Sequence, residues 1–155
     1  MSATSAGILM YRREAGAWQV LLVHPGGPFW RRRDAGAWSI PKGLVEADED
    51  LAAAALRELR EELGDAPAGA LAPLGRIRQR GGKEVCAFAM EADFDPAALR
   101  SNTFELEWPP RSGRMQAFPE VDRAAWFDLH TARGKILEAQ RPFIDRLQDL
   151  LQRSG

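Results

Sequence analysis

The chain holds one cysteine, one tyrosine and two histidines among 155 residues. A lone Cys86 cannot close an internal disulfide, so stability has to come from a packed core, and the residue suits a reducing cytoplasm. His24 and His130 read as a loop residue and a helix-start residue rather than as metal ligands. Charge of one sign is also missing: 21 Lys and Arg stand against 22 Asp and Glu, a net charge of −1. That balance gives no general electrostatic pull on a nucleic-acid backbone or an anionic membrane. The apolar run near the N-terminus is too short to span a bilayer and stops at Tyr11, Arg12 and Arg13. No basic segment precedes it, so neither a membrane anchor nor a targeting leader is expected. No repeat, low-complexity tract or linker divides the sequence.

What is present fits one domain over residues 1–155, 45% hydrophobic and 28% charged. A chain of this size buries roughly 68–70% of its unfolded surface and needs no staple. Ser5–Arg13 and Trp18–His24 read as a strand pair around Glu14-Ala15-Gly16. His24–Gly36 reads as a loop, Ala37–Ile40 as a brief strand, and Pro41-Lys42-Gly43 as its breaker. Asp50–Leu63 is the clearest helix, rich in Ala and Leu, with Asp48 or Asp50 to cap it and Gly64 to end it. Leu74–Gln79 and Glu84–Glu91 read as strands joined through Arg80-Gly81-Gly82-Lys83. A strand near Thr103–Trp108, a loop PPRSGRMQAFPEVD, a short strand Ala124–Asp128 and helices over His130–Leu137 and Arg141–Gln152 follow. Interleaved strands and helices with long hairpins predict an α/β fold, a mixed sheet covered on both faces.

The helix contains a physical oddity. Ala52, Ala55, Leu56, Leu59 and Leu63 share one stripe, and Glu58, Glu61 and Glu62 crowd the neighbouring face. Arg57 and Glu61 form at best an ordinary surface pair of ~0.3–0.5 kcal/mol. Two ionised carboxylates about 5 Å apart repel by roughly 3 kcal/mol at an effective dielectric of 20. A plain solvated helix relieves such crowding with lysine, and this helix has none. A divalent cation reverses the sign of the problem, and Mg²⁺ favours hard oxygen ligands shared with substrate phosphates.

Spacing sharpens this. Gly43, Glu49, Arg57-Glu58, Glu61-Glu62 and Gly64 resemble the signature of the Nudix hydrolases, G-x5-E-x7-R-E-U-x-E-E-x-G-U with U a bulky aliphatic residue. The one departure is Asp65 at the last position, past the helix end. The resemblance implies a Nudix α/β/α sandwich and a divalent-metal hydrolase acting on a nucleoside diphosphate linked to another group. It implies that Glu58, Glu61 and Glu62 hold Mg²⁺, with Mn²⁺ as a substitute, and that the Gly43 carbonyl joins them. Arg57 then orients the carboxylates, and Glu49 supports the loop. The same resemblance implies that one glutamate of the set activates water and that a loop carboxylate late in the chain completes the site, with Glu120 in FPEVD the candidate and the strand residues Glu105 and Glu107 the weaker alternatives.

Trp38-Ser39-Ile40-Pro41-Lys42-Gly43 is similar to the W-x-x-P-K-G segment of diadenosine and diphosphoinositol polyphosphate hydrolases, which places Lys42 on a phosphate. The tyrosine and proline that mark the diadenosine polyphosphate and ADP-ribose subfamilies after the motif are absent, Gly81-Gly82-Lys83 standing there instead. Base stacking then falls to Trp30 or Trp108, and phosphate contacts outside the motif to Arg31 with Arg32 and Arg33. HPGGPFW and EWPPRSG resemble a bacterial Nudix subgroup without supplying a substrate. The alternative is a Nudix-fold nucleotide-binding or regulatory module without catalysis. Such modules usually lose motif glutamates, and none is lost here. A small-molecule nucleotide is the expected partner, and the number of subunits is open.

Overall fold

The computed structural model describes residues 3–154. The first strand, β1 (Thr4–Glu14), turns through Ala15 and Gly16, both at positive φ, into β2 (Ala17–Pro25). Two left-handed central residues match the twist of a tight hairpin. The pair runs antiparallel from Tyr11↔Val20 to Glu14↔Ala17. A three-residue strand, β3 (Lys42–Leu44), lies antiparallel on the other end of β1, with Gly7 opposite Lys42. Helix α1 (Leu51–Leu63) begins where the Asp50 side chain accepts from Ala53 N–H at 3.1 Å and ends at Gly64, φ 91°. That cap satisfies one of the helix's orphan donors.

Next come β4 (Leu71–Arg78) and β5 (Glu84–Glu91), antiparallel with a register shift between Pro73 and Gly75. β6 (Thr103–Glu107) and β7 (Met115–Pro119) form a separate two-stranded sheet. β8 (Val121–Asp128) then joins β2, and helices α2 (Leu129–Lys135) and α3 (Arg141–Ser154) close the chain. The main sheet runs β4-β5-β1-β2-β8, with β3 also on β1; β1 and β5 are parallel and the other pairs antiparallel.

Side chains alternate across a strand, and both faces of this sheet are covered. Ile8, Met10, Leu21 and Val23 pack with Ala55, Leu59 and Leu63 of α1. Leu9, Val20 and Leu22 pack on the opposite face with Phe143, Ile144 and Leu147 of α3. Burial on two faces explains why Ser5–Met10 is buried without interruption. The result is the expected α/β/α sandwich. Among the described residues, no helix is long and apolar enough to cross a membrane.

Four local readings change. Ala37–Ile40 is no strand, only isolated bridges from Trp38 to Ile136 and from Ser39 to Val23. Lys42 and Gly43 belong to a strand instead of breaking one, because Pro41 accepts from Ile8 N–H at 3.1 Å and hands the chain to β1. PPRSGRMQAFPEVD hides β7. His24 lies in β2, fully buried, and not in a loop.

Candidate active site

The apolar stripe of α1 fixes how its glutamates face. With Leu59 and Leu63 in the core, Glu58 and Glu62 turn toward the sheet and are 8% and 7% exposed. They meet β3 there. A Cβ on Gly43 would fall 2.0 Å from the Glu58 carboxylate, so the position has room only for hydrogen. The Lys42 backbone N–H donates to the Glu62 carboxylate at 3.3 Å. The glycine of the motif and its glutamates are thus one packing unit, formed by the pairing of β3 with β1.

Arg57 organises the remaining carboxylates. Its Nε and Nη2 donate to the two oxygens of Glu49 at 2.8 and 2.9 Å, a paired fork. Nη1 donates to Glu58 at 2.8 Å and to Glu61 at 3.3 Å, and Nη2 also reaches the Leu44 carbonyl at 2.9 Å. Glu49 accepts Glu46 N–H at 3.0 Å as well. The guanidinium ties the loop before α1 to the helix face, which accounts for the interval between Glu49 and Arg57.

These contacts divide the acids by charge. The Arg57 bond, then the Glu46 amide, hold Glu49 down at about 2. Burial, then the neighbouring Glu61, push Glu58 up against the pull of Arg57. Burial pushes Glu62 up to about 8 despite the Lys42 amide and ammonium. Burial likewise lowers Lys42, with Glu62 opposing that shift. Glu120 raises both Glu58 and Glu62, so it belongs to the same electrostatic cluster.

Glu120 reaches that cluster as the single residue between β7 and β8. Its N–H donates to the Asn102 carbonyl at 2.8 Å, and its own carbonyl accepts Gly26 N–H at 3.0 Å. A Cβ on Gly26 would fall 2.0 Å from the Pro119 carbonyl, so the loop after β2 lies directly on this joint. Between them opens a cleft of about 210 Å³ whose walls include Trp30, Ser39, Lys42, Glu62, Glu120 and Leu137. Trp30 therefore reaches the cleft. Trp108 packs edge-to-face on Phe29 at 5.5 Å and does not line it. Arg31 is exposed and does not line it either.

Among the described residues, no three His, Cys, Asp or Glu side chains stand as a finished metal cage. Glu58 and Glu61 are turned to Arg57, and Glu62 to the Lys42 amide. The donor set nonetheless fits a hard divalent ion: buried or half-buried carboxylates that repel one another.

One organising residue escaped the sequence reading. His24 Nδ1 lies 2.8 Å from Asp122 Oδ1 and Nε2 lies 2.6 Å from the Arg33 carbonyl. It links the strand after Glu120 to the loop that carries Trp30. A histidine followed by Pro-Gly-Gly carries only a loop signal, and its partners lie far away in sequence.

Solved structures share the fold at low identity. An Ap4A hydrolase of C. elegans, as a binary complex, superposes with TM-score 0.67 at 20% identity, over 96% of this chain and 98% of that one. The NUDIX domain of Shewanella oneidensis NrtR, complexed with ADP ribose, gives 0.68 at 18%, over 97% and 89%. A MutT protein from Methanosarcina mazei Go1 gives 0.61 at 22%, over 96% and 94%. No curated protein sequence matches at a significant level. The NUDIX domain description matches residues 1–147, so the chain belongs to the Nudix family and is by class a pyrophosphohydrolase.

Proposed function

We propose that the chain hydrolyses a phosphoanhydride bond in a nucleoside diphosphate linked to another group, with Mg²⁺ as its ion and Mn²⁺ able to replace it. Nucleoside triphosphates and dinucleoside polyphosphates are the leading substrates. The observation that carries this reading is the meeting of Glu62, Glu120, Lys42 and Trp30 in one cleft, over a helix whose other glutamates are gathered by Arg57. Glu58, Glu61, Glu62 and Glu120, with the Gly43 carbonyl, are the residues to hold the ion. When bound, the ion offsets the negative charge that makes a phosphoanhydride inert and sharpens a water as nucleophile.

The chain supplies the rest. Lys42 brings positive charge to a substrate phosphate from the cleft wall, and Trp30 offers a face on which a base stacks. Arg57 fixes Glu58 and Glu61, and Glu49 fixes Arg57. A glutamate of the cluster takes the proton of the attacking water, a contribution of typically 10²–10⁴-fold.

The test is a phosphate-release screen with and without Mg²⁺ over nucleoside triphosphates, dinucleoside polyphosphates, nucleotide sugars, ADP-ribose and coenzyme A. Glu61→Gln and Glu62→Gln are expected to cut turnover by roughly the 10²–10⁴-fold of a lost acid–base group or more, with the fold retained. Full activity in chelator, or in either variant, would overturn the assignment.

A further inference from the structure

A second cleft, of about 720 Å³, adjoins the first. Leu137 lines both, and Gly36 lines the second next to Ala37 of the first. Its other walls include Arg78, Gln79, Arg80 and Glu138. Gln79 is not loosely placed. The fully buried Gln140 donates to it at 2.9 Å, and the same Gln140 accepts Ile40 N–H at 3.0 Å. One buried amide therefore fixes the end of β4 against the segment that leads to Lys42.

The first cleft is small for its task. At about 210 Å³ it falls below the ~300–1,000 Å³ of ordinary ligand sites. A whole nucleotide substrate exceeds that space, so its remainder has to continue outward. The second cleft, which shares Leu137 with the first, is the neighbouring space. Its chemistry is one-sided: Arg78 and Arg80 line it with Glu138 as the lone carboxylate, and no aromatic residue is present. Among the described residues neither arginine has an acidic partner. Glu84 stands opposite Arg78 in the β4–β5 register, yet it is bonded to Arg76. A free guanidinium matches phosphate oxygens through its planar fork of donors. No aromatic ring there offers a second base a stacking partner.

Resting on the function proposed above, we infer that the cleft between the β4–β5 hairpin and Glu138 is a subsite for the far end of the substrate, and that this end is phosphate-bearing and non-aromatic. Arg78 and Arg80 grip it. Of the leading substrate classes, the one ending in phosphate fits better than the one ending in a second base. A terminal polyphosphate and a phosphorylated sugar share this chemistry.

Two measurements on the full chain test it. Calorimetry with inorganic tripolyphosphate, which needs no turnover, compares the parent with the R78Q/R80Q variant. Binding is expected to weaken by about tenfold, or 1.4 kcal/mol, whereas E138Q, by removing the one repelling charge, tightens it. Kinetics then compare adenosine tetraphosphate, a nucleotide sugar carrying an extra phosphate on its sugar, a nucleotide sugar with a neutral sugar and a dinucleoside tetraphosphate. The parent is expected to favour one of the first two in kcat/KM over both others, which also separates the two sources, and R78Q/R80Q to erase that preference through KM. Equal tripolyphosphate affinity in parent and double variant, or a parent that prefers the second base, overturns the subsite. Binding that depends on the arginines in a protein that hydrolyses none of these would overturn the enzyme reading and leave the subsite standing. Should R78Q/R80Q fail to fold, weaker or unchanged binding by E138Q would overturn the subsite.

Discussion

Arg57 bonds Glu49, Glu58, Glu61 and the Leu44 carbonyl through one planar group. Lysine brings the same charge without the fork. Arg57→Lys should keep the fold, by circular dichroism, and lose at least about tenfold in turnover, some 1.4 kcal/mol of barrier; parental kinetics in that variant would mean that charge alone suffices. The acids respond to pH in opposite senses. Glu62 is raised from 4.5 to about 8 by burial, and Glu58 is raised as well. A carboxyl raised on folding stabilises fully below its unfolded value and loses that contribution as pH climbs through its folded value. Metal-free protein should therefore melt lower at about pH 9 than at about pH 6, and Glu62→Gln should flatten the slope. Glu49, lowered to about 2, loses its contribution only below that window, as pH falls from 4.5. A melting temperature independent of pH across the window would show that Glu62 is not desolvated.

At the scale of elements, the proposed catalytic and recognition roles divide between a helix and two segments that hold each other. The loop after β2 presents Trp30, and the β7–β8 joint presents Glu120, with Gly26 packed on that joint. Trp30→Ala should weaken substrate binding by up to about 100-fold, the range for base–aromatic stacking of ~1–3 kcal/mol. Trp108→Ala should bind nearly as the parent, since Trp108 packs on Phe29 and does not line the cleft. Equal losses in titrations of both variants would place the base elsewhere. Glu120→Gln should lower turnover at least about tenfold, and kinetics indistinguishable from the parent at limiting and saturating Mg²⁺ would remove Glu120 from the site. These elements were unevenly legible. α1 was readable because Asp50, the Ala-Leu stripe and Gly64 all agree. β7 was not, because Pro, Gly and Arg surround five residues of which four are exposed, leaving no alternation to detect. β3 was masked by Pro41 and Gly43. That glycine is present for Glu58 and not for a turn.

Across the whole molecule, the order β4-β5-β1-β2-β8 was beyond local reading, since period-two patterns show that a strand is covered and not which strand lies beside it. Only the two hairpins, β1–β2 and β4–β5, announced their own partners. β1 instead finds β5 some eighty residues later, from Thr4↔Glu84 to Tyr11↔Glu91, and β2 finds β8 from Gln19↔Asp128 onward. Such distant pairings close long loops before contacts reward them, which slows refolding relative to a helical chain of similar size. The order of events matters for the glutamates. Gly43 comes to rest against Glu58 only once β3 lies on β1, so an α1 that forms before the sheet would hold its acids in open water. A divalent ion then has little to grip until the late side of the folding barrier. In a chevron measured with rising Mg²⁺, the unfolding limb should fall while the folding limb stays in place. A folding limb that accelerates instead would mean that the ion gathers the glutamates before the sheet does.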